Sequence, residues 1–140
     1  MSSVDQKSVA QKLIRLEEVI RKLEEIARTP EEAFLEDDIL QAAAERFFIL
    51  GIEIITDVGN HLLVEKAGKA GASYKDILIQ LGRTKLVSKS LTDRNLQMTG
   101  FRNLLIHAYE IVDPRRVYDA LQIAPKELRA FAKAFARHLK

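Results

Sequence analysis

The chain is predicted to be all-α, an up-and-down bundle of four to five main helices, on three observations. Apolar residues recur at spacings of three and four through nearly every segment, and no stretch alternates with the period of two that a half-buried strand requires. Several of these segments open on a serine, threonine or aspartate followed at a fixed offset by a proline or an acid, the usual start signals of helices. At 140 residues, 47% apolar and 30% charged, the chain has the size and balance of one domain that buries its core without staples.

The first helix spans about Val4 to Arg28. Val9, Leu13, Leu16, Val19, Ile20 and Leu23 form its apolar stripe, and Glu17, Glu18, Arg21, Lys22, Glu24 and Glu25 form a solvated outer face. Thr29-Pro-Glu-Glu32 then reads as an N-cap, a proline at the first helical position and a capping glutamate. That signal starts either a short helix or the whole second element, with Asp37-Asp38 as an alternative start. From about Asp38 to Lys66 runs a long helix that is apolar almost all the way round, which implies burial on more than one side. Gly51 and Gly59 cost it stability but admit a close neighbour. A loop at Gly68–Gly71 follows, and Ser73-Tyr-Lys-Asp76 caps a short helix ending near Gly82. Ser88 or Ser90 opens the fourth main helix, expected to run to about Ile111. Asp113-Pro114 opens a fifth, which Pro125 breaks or kinks. There is no internal repeat or low-complexity linker, so residues 1–140 are expected to form a single domain.

Composition removes several classes of chemistry. The chain has no cysteine, which excludes disulfides, thiolate metal sites and cysteine nucleophiles. Its start lacks the apolar core of a secretory signal. The most apolar run, Phe47 to Ile55, is interrupted by Glu53 and is too short to span a bilayer. A cytoplasmic protein without a membrane segment is expected. The net charge of +2 conceals an asymmetry: residues 1–82 carry 10 Lys and Arg against 15 Asp and Glu, whereas residues 83–140 carry 12 against 5. A basic second half suits an anionic ligand such as RNA, or packing of the two halves against each other or across subunits.

The residues that can carry chemistry cluster in 101–112. On a helix at 100° per residue, Phe101, Leu104, Leu105, Ala108, Ile111 and Val112 fall in an arc of about 120°, the expected core stripe. Arg102 and Tyr109 lie nearly superimposed on one flank of it, and Asn103 and His107 share the other side. Ile106 sits between the two groups, facing away from the core, where a monomer would place a polar residue. Arg102 and His107 diverge by about 140°, so a symmetric second copy packed across Ile106 would be needed to pool them on one phosphate. The chemistry these types support is metal-free RNA cleavage. Histidine exchanges protons near neutral pH, and so can activate a ribose 2′-hydroxyl or protonate a leaving oxygen. Arginine presents a permanently charged planar fork to phosphate oxygens. No His, Asp and Glu spacing marks a metal site: Asp57 and His61 are an i,i+4 pair, read as a hydrogen-bonded or interface pair. Tyr74 is read as anchoring its short helix to the bundle, and His138 as solvated near the chain end.

Arg102-x4-His107-x-Tyr109, within Gly100-Phe-Arg-Asn-Leu-Leu-Ile-His-Ala-Tyr109 and followed by Asp113, resembles the diagnostic segment of HepT-like toxins of the HEPN superfamily. Ala44-Glu-Arg-Phe47 and Ile55-Thr-Asp-Val-Gly-Asn-His61 resemble that family's long central helix, and Ser73-Tyr74 its next helix start; the likeness covers about residues 8–135. The resemblance implies a toxin that cuts RNA without metal or cofactor, as a homodimer with its site in the intersubunit cleft. It implies Arg102 and His107 as catalytic residues, with Asn103 assisting. It also implies neutralisation by an MntA-type nucleotidyltransferase antitoxin that places AMP on Tyr109. The alternative from a different class is a non-catalytic HEPN domain serving as substrate-binding or scaffolding partner of a nucleotidyltransferase.

Overall fold

A computed structural model of the chain describes residues 2–107 and 112–139, and among them every regular element is a helix. The order is α1 (Ser3–Ala27), α2 (Glu31–Leu35), α3 (Asp38–Ala67), α4 (Tyr74–Arg83), α5 (Lys89–Asp93), α6 (Met98–His107) and α7 (Pro114–Ala136). The three long helices, α1, α3 and α7, pack on one another to form the body; α4 lies on α3 and against α5, and α6 lies on α3. The all-α bundle expected from the sequence is the observed architecture.

Caps set the boundaries. The Ser2 hydroxyl accepts the backbone N–H of Asp5 at 3.1 Å, Asp37 accepts Leu40 N–H at 2.9 Å and Ser73 accepts Asp76 N–H at 3.1 Å. Asp113 accepts Arg115 N–H at 3.0 Å, with Pro114 in the first turn of α7. Each bond satisfies a donor that a helix start leaves orphaned. Gly68 closes α3 in the left-handed region, φ 75°, which a residue with a side chain adopts only at a cost. The open boundary after residue 28 resolves into two elements, the short α2 and then α3 starting at Asp38. Thr29 does not cap α2: Pro30 occupies the cap position without a side-chain bond, and the Thr29 carbonyl instead accepts the Tyr118 hydroxyl at 2.7 Å.

The core joins Leu16, Ile20 and Leu23 of α1 to Phe48, Ile55 and Leu62 of α3 and to Leu128, Phe131 and Phe135 of α7, all essentially solvent-free. The close approaches expected at the α3 glycines are present. A Cβ on Gly59 would stand 2.7 Å from Leu81 Cδ1 of α4, and one on Gly51 would stand 3.2 Å from Leu128 Cδ1 of α7. Burial on several sides also explains why α3 is so apolar. By length and composition α3 is the one helix among the described residues able to cross a membrane, yet half of its most apolar window is buried inside the fold.

Three expectations are corrected. The fourth main helix is not continuous from Ser88 or Ser90: it divides into α5 and α6. Between them the buried Asn95 amide donates to Leu91 O at 2.9 Å and the Gln97 amide to Arg94 O at 3.0 Å. Side chains thus take backbone acceptors, the competition that disfavours a continuing helix. Arg94 fastens this break to α7 through a two-pronged pair with Glu127, at 2.7 and 3.0 Å. Pro125, in turn, does not end the last helix; it is buried inside an unbroken α7. The lost intrahelical bond is offset by packing on both sides, from Leu121 to Leu128 and Phe131. His138 is not simply solvated, since its Nε2 lies 2.8 Å from Leu86 O. The charge asymmetry is partly consumed within the fold, where Arg129 of α7 bridges Glu17 at 3.0 Å and Glu24 at 2.8 Å on α1. Those hydrogen bonds raise the Arg129 pKa and lower that of Glu24.

Candidate active site

The site is built on α6 and completed by α3 and α4. Phe101 and Leu105 point α6 inward, Phe101 meeting Phe48 edge-to-face at 5.4 Å between centroids and Leu105 being buried. Leu104, placed in the core stripe by its position on the wheel, is instead 37% exposed. α6 is held along a strip narrower than the pattern implies, because its main packing partner is α3.

With the inward face fixed, Arg102 turns along the protein surface toward α3 and α4. Its Nη2 donates to Glu53 Oε1 at 3.0 Å and to the Tyr74 hydroxyl at 3.4 Å, and its Nη1 donates to Asn103 Oδ1 at 3.1 Å. The guanidinium carbon sits 4.6 Å from the centre of the Tyr74 ring, a cation–π stack. Only 17% of the Arg102 side chain is exposed, and its Nε is buried with no hydrogen-bond partner among the described residues. The arginine is therefore fixed in position by Glu53, Tyr74 and Asn103, which take three of its five donors. Beside it lies an open groove of about 510 Å³ lined by Tyr74, Lys75, Arg102 and Asn103, with the backbone of Gly100 at its wall. A second groove on the other side of Tyr74 includes Glu53, Lys12 and Asn60.

Asn103 and His107 are both exposed, as their side of the wheel predicts, and Ile106 is an outward apolar residue at 39% exposure. Arg102 and His107 are not brought together within the chain: the arginine's bonds go to α3 and α4, whereas the imidazole is open to solvent. Tyr109 lies outside the described residues. Asp57 does not pair with His61; it meets Lys12 at 2.7 Å. Tyr74, read as an anchor, is 37% exposed and serves as the floor under Arg102.

Sequence reasoning missed Glu53 and Tyr74 as partners of Arg102. One signal for Glu53 was available. A lone carboxylate inside the most apolar run of the chain needs a cation or water, since burial without one is costly. No comparable signal marked Tyr74, whose role depends on how α4 and α6 meet.

What the assembly can do chemically is limited and specific. A guanidinium held at the wall of an open groove can bind an oxyanion, and an exposed imidazole can exchange a proton. Comparison with known proteins identifies the family and the fold. The tRNA nuclease HepT of Aphanizomenon flos-aquae (strain 2012/KM1/D3) is 26% identical over 100 residues, covering 71% of this chain and 67% of that protein. A tri-AMPylated HEPN toxin of Shewanella oneidensis, solved in complex with MNT antitoxin, superimposes with a TM-score of 0.85 at 19% identity, covering 99% of this chain and 100% of the other. YutE of Bacillus subtilis, described as a cytosolic protein of unknown function, gives 0.80 at 24% identity, covering 99% and 93%. These two structures share the fold. The family described as Ribonuclease HepT-like matches residues 16–135, which include every described residue of the Arg102 cluster, and the chain belongs to that family.

Proposed function

We propose that this chain is the toxin of a toxin–antitoxin system, a metal-independent endoribonuclease that works as a homodimer in the cytoplasm. The observation that carries the reading is the Arg102 guanidinium, set in position by Glu53 and Tyr74 beside an open groove, on the same helix as an exposed His107. The family match supports ribonuclease activity, and the Aphanizomenon relative makes tRNA the first substrate class to try.

In this reading the ribose 2′-oxygen attacks the adjacent phosphorus as its proton passes to a base. The bond to the 5′-oxygen breaks, and that oxygen takes a proton from an acid. The products are a 2′,3′-cyclic phosphate and a 5′-hydroxyl. His107 supplies proton transfer, and Arg102 binds the non-bridging oxygens as charge gathers on them. The divergence of the two residues on α6 is resolved by a second copy seated across Ile106, so that each cleft takes groups from both subunits. Asn103 steadies Arg102 through its Oδ1 and can offer its amide to the phosphate.

The Shewanella toxin's AMPylation and its MNT antitoxin support assigning an MntA-type nucleotidyltransferase as partner and Tyr109 as the AMP acceptor. A phosphate on that phenol would stand seven residues along the chain from Arg102. It would compete with RNA for the guanidinium.

The test is cleavage of a labelled tRNA pool by purified protein in excess chelator. Wild type is expected to cut, whereas His107→Ala and Arg102→Ala lose at least about 100-fold, the scale of a lost general acid–base or oxyanion contact. Circular dichroism should show both variants folded. Undiminished cleavage by His107→Ala would overturn the assignment, and an inactive wild type would favour the scaffolding role.

A further inference from the structure

Where the start of α1 meets the last turns of α3 lies a second cluster of chemistry-bearing side chains, which the ribonuclease reading leaves unused. His61 and Glu65 stand one turn apart near the end of α3, and the i,i+4 spacing sets them on one face. Asp5 comes to them from the first turn of α1. One ring nitrogen of His61 and one carboxylate oxygen from each of Asp5 and Glu65 all lie within 4.8 Å of one another. Neighbouring ligands around a tetrahedral zinc, at about 2.0–2.2 Å from the ion, are separated by about 3.4 Å. Small rotamer adjustments bring three such side chains to that distance.

Two further observations point to a ligand. His61 Nε2 is out of contact with solvent and has no hydrogen-bond partner among the described residues. A buried imidazole nitrogen left in that state is costly, and coordination removes the cost. The second is the support given to Asp5: the Ser2 hydroxyl donates to its Oδ2 at 2.6 Å, while the same oxygen accepts the Asp5 backbone N–H. A hydrogen bond to one carboxylate oxygen orients the other, which is how outer residues hold a metal ligand in place.

We infer that Asp5, His61 and Glu65 form a divalent-cation site with zinc as its ion, water completing the coordination. One imidazole with two carboxylates is a borderline donor set. It suits zinc, whereas calcium and magnesium prefer oxygen alone. The set lies eight residues beyond Glu53 on α3, about 12 Å along the axis. It is separate from the Arg102 cluster and stands whether or not the chain cuts RNA. Its effect is to fasten the first turn of α1 to the last turns of α3.

The experiment strips the full chain of metal with a chelator, removes the chelator, and titrates Zn2+ alone against a chromophoric competitor, with metal content measured after dialysis. One zinc per chain is expected, with a rise in Tm that millimolar Mg2+ does not reproduce. His61→Ala should weaken binding by at least about 100-fold, as befits loss of one of three ligands. Because His61 is half-buried, Glu65→Gln is the second variant: it is exposed and isosteric, and zinc affinity, titrated on protein whose circular dichroism matches wild type, should fall at least about tenfold. Absence of stoichiometric zinc in the wild type, or wild-type affinity in either variant, overturns the site.

Discussion

Arg102 shows how much of a residue's meaning lies outside its own helix. Its place on α6 determines which way the side chain leaves, but Glu53 on α3 and Tyr74 on α4 determine where the guanidinium comes to rest. A carboxylate 3.0 Å away also partly neutralises the charge that an RNA phosphate would seek. Glu53 thus acts as a positioning group, holding the arginine between substrates and yielding part of it when a phosphate arrives. Glu53→Gln keeps a hydrogen-bond acceptor and removes the charge. The expected result is a lower KM for RNA with kcat reduced several-fold, because attraction strengthens while orientation loosens. Glu53→Ala removes both and leaves a mostly buried cation unpaired, which is expected to destabilise the fold by about 1–3 kcal/mol in urea unfolding. Equal kcat and KM in Glu53→Gln and wild type would show that the pair has no positioning role.

Local signals predict the helices well where local chemistry builds them. Ser73 and the Asp113-Pro114 pair announce their helices because a cap is made within three residues of itself, and the long apolar α3 announces its burial on several sides. The division between α5 and α6 is not legible in that way. Asn95 and Gln97 are ordinary residues for a helix interior in sequence. Their diversion to backbone acceptors is stabilised by Arg94 reaching Glu127, 33 residues on. The candidate site divides similarly: Arg102, Asn103 and His107 stand out as a spaced set on one helix, whereas Glu53, Tyr74 and the meeting of Asp5 with His61 exist only after folding.

The Arg94–Glu127 clasp also has a pH signature. Hydrogen bonding to Arg94 lowers the Glu127 pKa from its ordinary 4.5, so the pair stabilises the fold above that value and loses its contribution as pH falls through the folded value. Glu127→Gln should cost about 1 kcal/mol at pH 7, discounted for the half-exposed arginine. The difference in Tm from wild type should narrow as pH falls through the folded Glu127 pKa, which lies below 4.5. A gap that persists unchanged at pH 3 would show that the contribution is packing and not charge.

At the scale of the whole molecule, α1, α3 and α7 make most of the buried core, to which α2 and α4 add Phe34, Leu78 and Leu81, and the proposed catalytic groups are carried by a helix lying outside that trio. Ile106 leaves an apolar side chain on its outer side, 39% exposed. The proposed dimer covers it. Ile106→Glu is therefore expected to shift light scattering from dimer toward monomer and to lower RNA cleavage in parallel, since a charge would have to be buried in the contact. Cleavage should recover as protein concentration rises. A monomeric wild type at micromolar concentration, or a fully active monomeric variant, would count against the two-subunit cleft.

Because α6 rests mainly on α3, through Phe101 and Leu105, the free energy that seats it is a fraction of what holds the three-helix body. A segment so held is expected to detach and reseat more often than the body unfolds, and only the seated state presents Arg102 against Glu53 and Tyr74. Anything that supplies the missing outer wall, a second copy above all, raises the seated fraction without touching a reacting atom. The nuclease would then be close to silent while the chain is scarce and would gain activity more steeply than its abundance. That is a dose threshold set by how a ten-residue helix is held in place.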